Sequence, residues 1–245
     1  MLHILMKHFT QYLSEAASDL TLQYHDTLNN KFWKGTELKP MVRKKLLEIG
    51  TAWAKWANIP EKAIKDIVFV GGNANYNYTD HSDVDVHVIV DREQLPDCPE
   101  LIDDYFQDKK ELWSLTHNIK VFGHDVELYA QDKDAKFPKN QGVFSLKNNK
   151  WIIQPKHHEV DLENPHILKK VKEYSGKIQN LISTNASDES FKQMKNKIKN
   201  MRASAIQKSG EFAFENLVFK ELRNTGVLDK MNEYIRTRQD EKLSL

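Results

Sequence analysis

The chain has 245 residues, 29% of them charged, with 36 Lys and Arg against 35 Asp and Glu and a formal net charge of +1. No apolar run approaches the roughly 20 residues a membrane-spanning helix needs, and the stretch from Met1 to Leu20 has too short an apolar core for a secretory signal, so a cytosolic protein is expected. The single Cys98 excludes an internal disulfide and a cysteine-built zinc site, and between Asp97 and Pro99 it reads as an inert surface thiol.

In chain order, Phe9, Leu13, Leu20 and Tyr24 fit one or two short helices, which Asn29-Asn30 ends. Pro40 opens a clearer helix to Ala57, with Val42, Leu46, Ile49, Trp53 and Trp56 on one face. At that spacing the tryptophans read as core rather than as a base-stacking platform. Ile67 to Val70 is a first strand, closed by Gly71-Gly72, and Asp83 to Val90 is a second. Pro99 to Thr116 reads as a helix. Asn118 to Ala130 reads as a hairpin turning at Gly123-His124, with Asp125 to Ala130 as its second arm. Gly142 to Leu146 and Trp151 to Gln154 make another, joined through Asn148-Asn149. After the hydrophilic connector from Lys156 to Pro165 the chain is helical. Phe191, Met194, Ile198, Met201 and Ala205 form one face and Lys192, Lys195, Lys199 and Arg202 another, after a loop from Ser183 to Ser190. Glu211 to Asn224, stopped by Gly226, and Val227 to Arg238 complete it. The expected divisions are an N-terminal helical segment 1–39, a core 40–155 and a helical domain 156–245.

The chemistry concentrates between Val68 and Asp91. Successive strand residues alternate faces, so Asp83, Asp85 and His87 point one way and Val84, Val86 and Val88 the other. Two neighbouring carboxylates repel, and a divalent cation, Mg²⁺ or Mn²⁺, is the usual reason to keep both ionised. Gly71 and Gly72 let backbone N–H groups approach a polyphosphate, with Asn73 and Ser82 as the polar side chains best placed to help. A two-metal site needs a third carboxylate on a nearby strand. Asp125 and Glu127, which share a face of the second arm of the hairpin, are the two candidates. His87 reads as a hydrogen-bonded neighbour of the acids, Asp80 and Asp91 as turn residues, and His157-His158 as solvated linker.

These residues carry a resemblance. Gly-Gly, a ten-residue gap and Asp-Val-Asp resemble the signature of the DNA polymerase β nucleotidyltransferase superfamily. The wider wording (LNNKFW, LKPMVRKKLLEIG, NANYNYTDHSDVDVHVIVD, VELYAQD, GVFSLKNNKWI, ENLVFKELRNTG) resembles a largely uncharacterised family of nucleotidyltransferases from tailed bacteriophages, over about residues 25 to 235. The resemblance implies an α/β (α+β) fold, a mixed twisted sheet backed by helices with a helical C-terminal domain. It also implies ATP or another NTP as substrate, Asp83, Asp85 and Glu127 as catalytic metal ligands, and the cytoplasm, of an infected host if phage-encoded, as location. Superfamily members often have Gly-Ser where this chain has Gly71-Gly72, and Asp where it has Glu127.

Charge is divided unevenly: residues 165 to 245 hold 16 Lys and Arg against 10 Asp and Glu, leaving the remainder net acidic. A basic half suits a polyanion. The loop from Asn73 to Ser82 has no lysine, so triphosphate countercharge is expected from the basic half, either from Lys195, Lys199 and Arg202 or from Lys220 and Arg223, the pair to which the resemblance to the phage family points; an RNA acceptor would instead be gripped by the Lys195, Lys199 and Arg202 face. The acceptor itself is open between an RNA 3′ end, a protein hydroxyl and a small molecule. An NTP sensor or interaction module without turnover is the alternative function.

Overall fold

The structure is a computed structural model that describes residues 20–95 and 101–244. Most of the expected N-terminal helix from Phe9, the start of the helix expected from Pro99, and Cys98 lie outside the described residues. The chain is a mixed α/β protein, and its contacts separate Tyr24–Glu159 from a second unit that joins residues 20–23 to 160–244. The sequence reading set its divisions at 39/40 and 155/156.

In the first unit, β1 (Trp33–Lys34) and β2 (Glu37–Leu38) form a small ladder ahead of α1 (Pro40–Trp56). Then follow β3 (Ile64–Val70), β4 (Val84–Val90), α2 (Ile102–Thr116), β5 (Lys120–Val121), β6 (His124–Asp132), β7 (Val143–Ser145) and β8 (Lys150–Ile153). The six-stranded sheet runs β5-β6-β4-β3-β7-β8. Strand β4 is antiparallel to β3 and parallel to β6, the connection that α2 makes possible.

Alternation divides the sheet into two faces. Ile67, Phe69, Val84, Val86, Val88, Leu128 and Ala130 join the main core with Val42, Leu46, Ile49 and Trp53 of α1 and Phe106 and Trp113 of α2. Helix α1 comes so close that a Cβ on Gly50 would lie 2.8 Å from Ile67 and 3.3 Å from Val86, which is why glycine interrupts that face. The opposite face carries Asp83, Asp85 and His87, and beyond them Val68, Val70, Ile89 and Val143 cluster with Phe137.

Residues 24–38, the part of the expected N-terminal segment 1–39 that follows the helices expected up to Tyr24, plug this core. Trp33 is 2% exposed and stacks between Phe69 (5.7 Å between centroids) and Trp151 (4.7 Å). The aromatic faces that Phe69 and Trp151 present across the sheet outweigh the weak helical spacing before them. Strand β3 begins three residues earlier than its apolar run, with a register shift between Ile64 and Asp66. The first hairpin turns at Phe122-Gly123, not Gly123-His124: Val121 pairs with His124, and both turn residues have positive φ (53° and 88°) as a two-residue turn of this hand requires.

The second unit contains α3 (Pro165–Ser183), α4 (Asp188–Ser209), α5 (Phe214–Asn224) and α6 (Val227–Leu243). Ile167, Val171, Tyr174, Ile178 and Ile182 pack with Phe191, Ile198, Leu217, Val218, Leu222, Val227 and Met231. Asn164 and Ser187 cap α3 and α4, accepting from the His166 and Ser190 amides. Glu221, 1% exposed, accepts from the Thr21 amide (3.0 Å) and hydroxyl (2.8 Å), so its buried carboxylate is satisfied by the strand of chain entering this unit.

Candidate active site

Strand β3 ends against β4 in the pair Val70 with Asp85, and the chain then turns at Gly71 with φ 79° into a short 3₁₀ turn, Gly72–Ala74. Two constraints meet at Gly71. Its φ disfavours any side chain, and a Cβ there would stand 1.8 Å from the Asp85 carboxylate oxygen Oδ2. The glycine turn and the second aspartate are therefore in direct contact. A Cβ on Gly72 would come within 3.0 Å of the Ser82 hydroxyl, which closes the same loop from its other end.

Asn73 has a different task from the one expected of it. It is fully buried, donating from Nδ2 to the carbonyls of Ser82 (3.2 Å) and Asp83 (3.0 Å) and accepting at Oδ1 from Asn29 (2.9 Å). Its own carbonyl accepts from the Trp33 indole (2.7 Å). The amide thus ties the two ends of the ten-residue loop together and has no exposed surface. His124 adds a second tie, donating from Nδ1 to the Ser82 carbonyl (2.7 Å), with Lys31 3.4 Å from its other ring nitrogen. Ser82 is half-buried and accepts at Oγ from the Thr79 amide (2.9 Å).

With the loop fixed, β4 presents Asp85 and His87 half-buried on one face, and Asp83, also half-buried, stands just before the strand begins at Val84. Across the parallel ladder Asp85 pairs with Glu127 and His87 with Tyr129. Neighbouring strands lie about 4.8 Å apart, so the Glu127 backbone is one strand from the acid pair. The ladder with β5 covers β6 at His124 and Asp125, and Lys110 of α2 reaches past the outer edge of β6 to place Nζ 3.0 Å from Glu127 Oε2. Asp125 is exposed and pairs with Lys120 (2.6 Å). His87 donates from Nδ1 to Gln131 Oε1 (2.8 Å), with the Tyr129 ring edge-on at 5.5 Å. Burial pushes the His87 imidazole below its ordinary pKa; the Gln131 bond opposes this, the Lys110 charge adds to it, and the Glu127 charge opposes it.

A cavity of about 490 Å³ opens beside the acids, lined by Asp83, Asp125, Glu127, Trp113, His117 and Asn118 among others. The His117 ring stacks on Trp113 at 3.8 Å. Neither this wall nor Lys110 was found from the sequence. Lys110 stands four residues after Phe106 and three before Trp113, on the stripe of α2 that faces the sheet, and the path of α2 along β6 gives it a partner there.

The donor set suits Mg²⁺ or Mn²⁺ in kind, being carboxylate oxygens on adjacent strands. It is not drawn together in this conformation: among the described residues no group of three His, Cys, Asp or Glu side chains is gathered closely enough to hold a metal ion. Glu127 accounts for part of this, because its carboxylate is turned to Lys110.

The expected cations of the helical unit have their own surroundings. Lys220 forms an ion pair with Glu211 in which both side chains are only 14% exposed, and Arg223 follows one turn later, half-buried. Lys220 is thereby paired inside its own unit. Lys195, Lys199 and Arg202 line a groove of about 540 Å³ with Ile198, Phe219 and Met231. The Arg202 guanidinium lies 4.3 Å from the Phe219 ring centroid.

No protein-family model matches the chain. No curated protein matches it either. Among solved structures it is similar to the STING-associated CdnE c-di-GMP synthase from Capnocytophaga granulosa, at 11% identity over 96% of each chain and a TM-score of 0.23.

Proposed function

We propose that the protein is a metal-dependent nucleotidyltransferase that moves a nucleoside monophosphate from an NTP to a hydroxyl acceptor and releases pyrophosphate. The observation that carries this reading is the contact of Gly71 with Asp85, which makes the phosphate-cradling turn and the acid pair one site. Asp83 and Asp85 would hold the cations, with Glu127 joining on the side of the attacking hydroxyl. When bound, the metal ions neutralise the triphosphate and favour the deprotonated hydroxyl.

The residues of the chain do the rest. Gly71 and Gly72 admit the phosphates close to the backbone, and the Ser82 hydroxyl at the far end of the loop is the nearby side-chain contact. The acceptor oxygen bonds to the α-phosphorus as the bond from that phosphorus to the bridging oxygen breaks. Pyrophosphate leaves with the electron pair, and the hydroxyl proton passes to a carboxylate of the site or to water. The acceptor enters on the β6 side, where the cavity lies, because β3 and its glycine turn occupy the other flank of β4.

Pyrophosphate release from each of the four NTPs with Mg²⁺, against RNA, protein and small-molecule hydroxyl acceptors, tests this reading. Release that depends on Mg²⁺ and is lost in Asp83→Asn/Asp85→Asn is expected. Nucleotide binding without release from any pairing would favour the second reading, an NTP sensor on the same fold, for which the pairing of Glu127 with Lys110 is the specific observation.

A further inference from the structure

Glu127 stands one strand from an aspartate pair, yet its carboxylate is held by an ammonium group from another element. Lys110 comes from α2, whose Phe106 and Trp113 anchor it in the core on the opposite face of the sheet, so the lysine crosses the strand edge to reach the acid. An aspartate at 127 would be one methylene shorter and further from Lys110.

Given the nucleotidyltransferase reading above, we propose that Lys110 is a positioning residue that occupies Glu127 until a metal-bound nucleotide arrives. An ammonium ion and a divalent cation cannot share one carboxylate without strong repulsion. In the nucleotide-free protein a metal ion must take Glu127 from Lys110, which weakens binding. When the nucleotide brings its own metal and negative charge, Glu127 turns to the metal and Lys110 is left facing the polyphosphate, for which it is a countercharge within the same unit. Lys110 thus fills the place that the loop sequence leaves without a lysine, and the metal ion enters with the nucleotide rather than before it.

The test uses Mn²⁺ as probe, followed by electron paramagnetic resonance of the free ion with the full-length protein. Lys110→Met is expected to bind Mn²⁺ about three- to fivefold more tightly than wild type without nucleotide, the scale of one half-exposed ion pair. Lys110→Arg is expected to match wild type, and with a non-hydrolysable NTP analogue the advantage of Lys110→Met is expected to vanish or reverse. Lys120→Met, which frees Asp125 instead, serves as the charge control. Equal tightening in Lys120→Met, or no tightening in Lys110→Met while Asp83→Asn/Asp85→Asn has lost Mn²⁺ binding, overturns the role of Lys110 alone. Wild-type Mn²⁺ affinity in Asp83→Asn/Asp85→Asn overturns the underlying site.

Discussion

At the residue scale, the site depends on positions where one atom decides the outcome. Gly71→Ala adds a methyl group 1.8 Å from Asp85 Oδ2 at a φ of 79°. The backbone penalty alone is of order 1–2 kcal/mol, and relief of the overlap must displace the carboxylate. The variant is expected to fold with a lowered Tm and to lose Mg²⁺-dependent NTP binding; retained affinity would separate the glycine turn from the acid pair. Asn73→Ala should do the reverse in kind. It removes three hydrogen bonds of a buried amide, to Asn29 and to the carbonyls of Asp83 and of Ser82, which keeps His124, a loss of about 2–4 kcal/mol at about 1 per bond, measurable by urea unfolding. Ser82→Ala, whose hydroxyl is half-buried, is expected to cost less stability than Asn73→Ala. A fully stable Asn73→Ala protein would contradict the staple.

At the scale of elements, much was legible. The helix from Pro40, strand β4, both hairpins and the turns between helices follow from period, glycine and asparagine signals, and the faces of β4 and β6 follow from alternation. The register that sets Asp85 opposite Glu127 does not, because parallel pairing through α2 is a non-local event that no local pattern encodes. Nor does the plug of residues 24–38, whose Trp33 is ordered by Phe69 and Trp151, far away in sequence. Trp33→Ala would remove that stack and the indole bond to Asn73, and should cost about 3–5 kcal/mol. If it unfolds at the same urea concentration as wild type, the plug is not part of the core. Glu127→Gln is expected to abolish transfer while NTP affinity stays within a few-fold, and Asp125→Asn to change little, because Asp125 is an exposed partner of Lys120; the inverse kinetics would give the role to Asp125. In α3, Lys177 and Lys170 hold the Glu173 carboxyl down to about 2. Its folded-state pKa is lowered, so its contribution is present above the ordinary carboxylate range and is lost as pH falls through about 2. A Glu173 carboxyl resonance titrating near the ordinary value would contradict that grip.

At the scale of the whole molecule, the charge division seen in the sequence acquires two meanings. Lys220 and Glu211 neutralise each other within the helical unit, so Lys220→Ala is expected to lower stability by about 1–3 kcal/mol, the cost of leaving the Glu211 carboxylate unpaired, and to leave NTP affinity nearly unchanged. Lys195, Lys199 and Arg202 keep a common groove. If that groove takes RNA, replacing all three should flatten the logarithmic salt dependence of RNA binding by about one phosphate contact per residue lost; an unchanged slope removes RNA from that face. The central claim concerns the sheet unit, where Gly71, Asp83 and Asp85 make a metal-nucleotide site. Calorimetric titration of a non-hydrolysable NTP with Mg²⁺ into wild type and Asp83→Asn/Asp85→Asn tests it without any acceptor. The account predicts that wild type binds only with Mg²⁺ and that the double variant, with an unchanged or higher Tm, does not bind; equal affinity of the two proteins would contradict it.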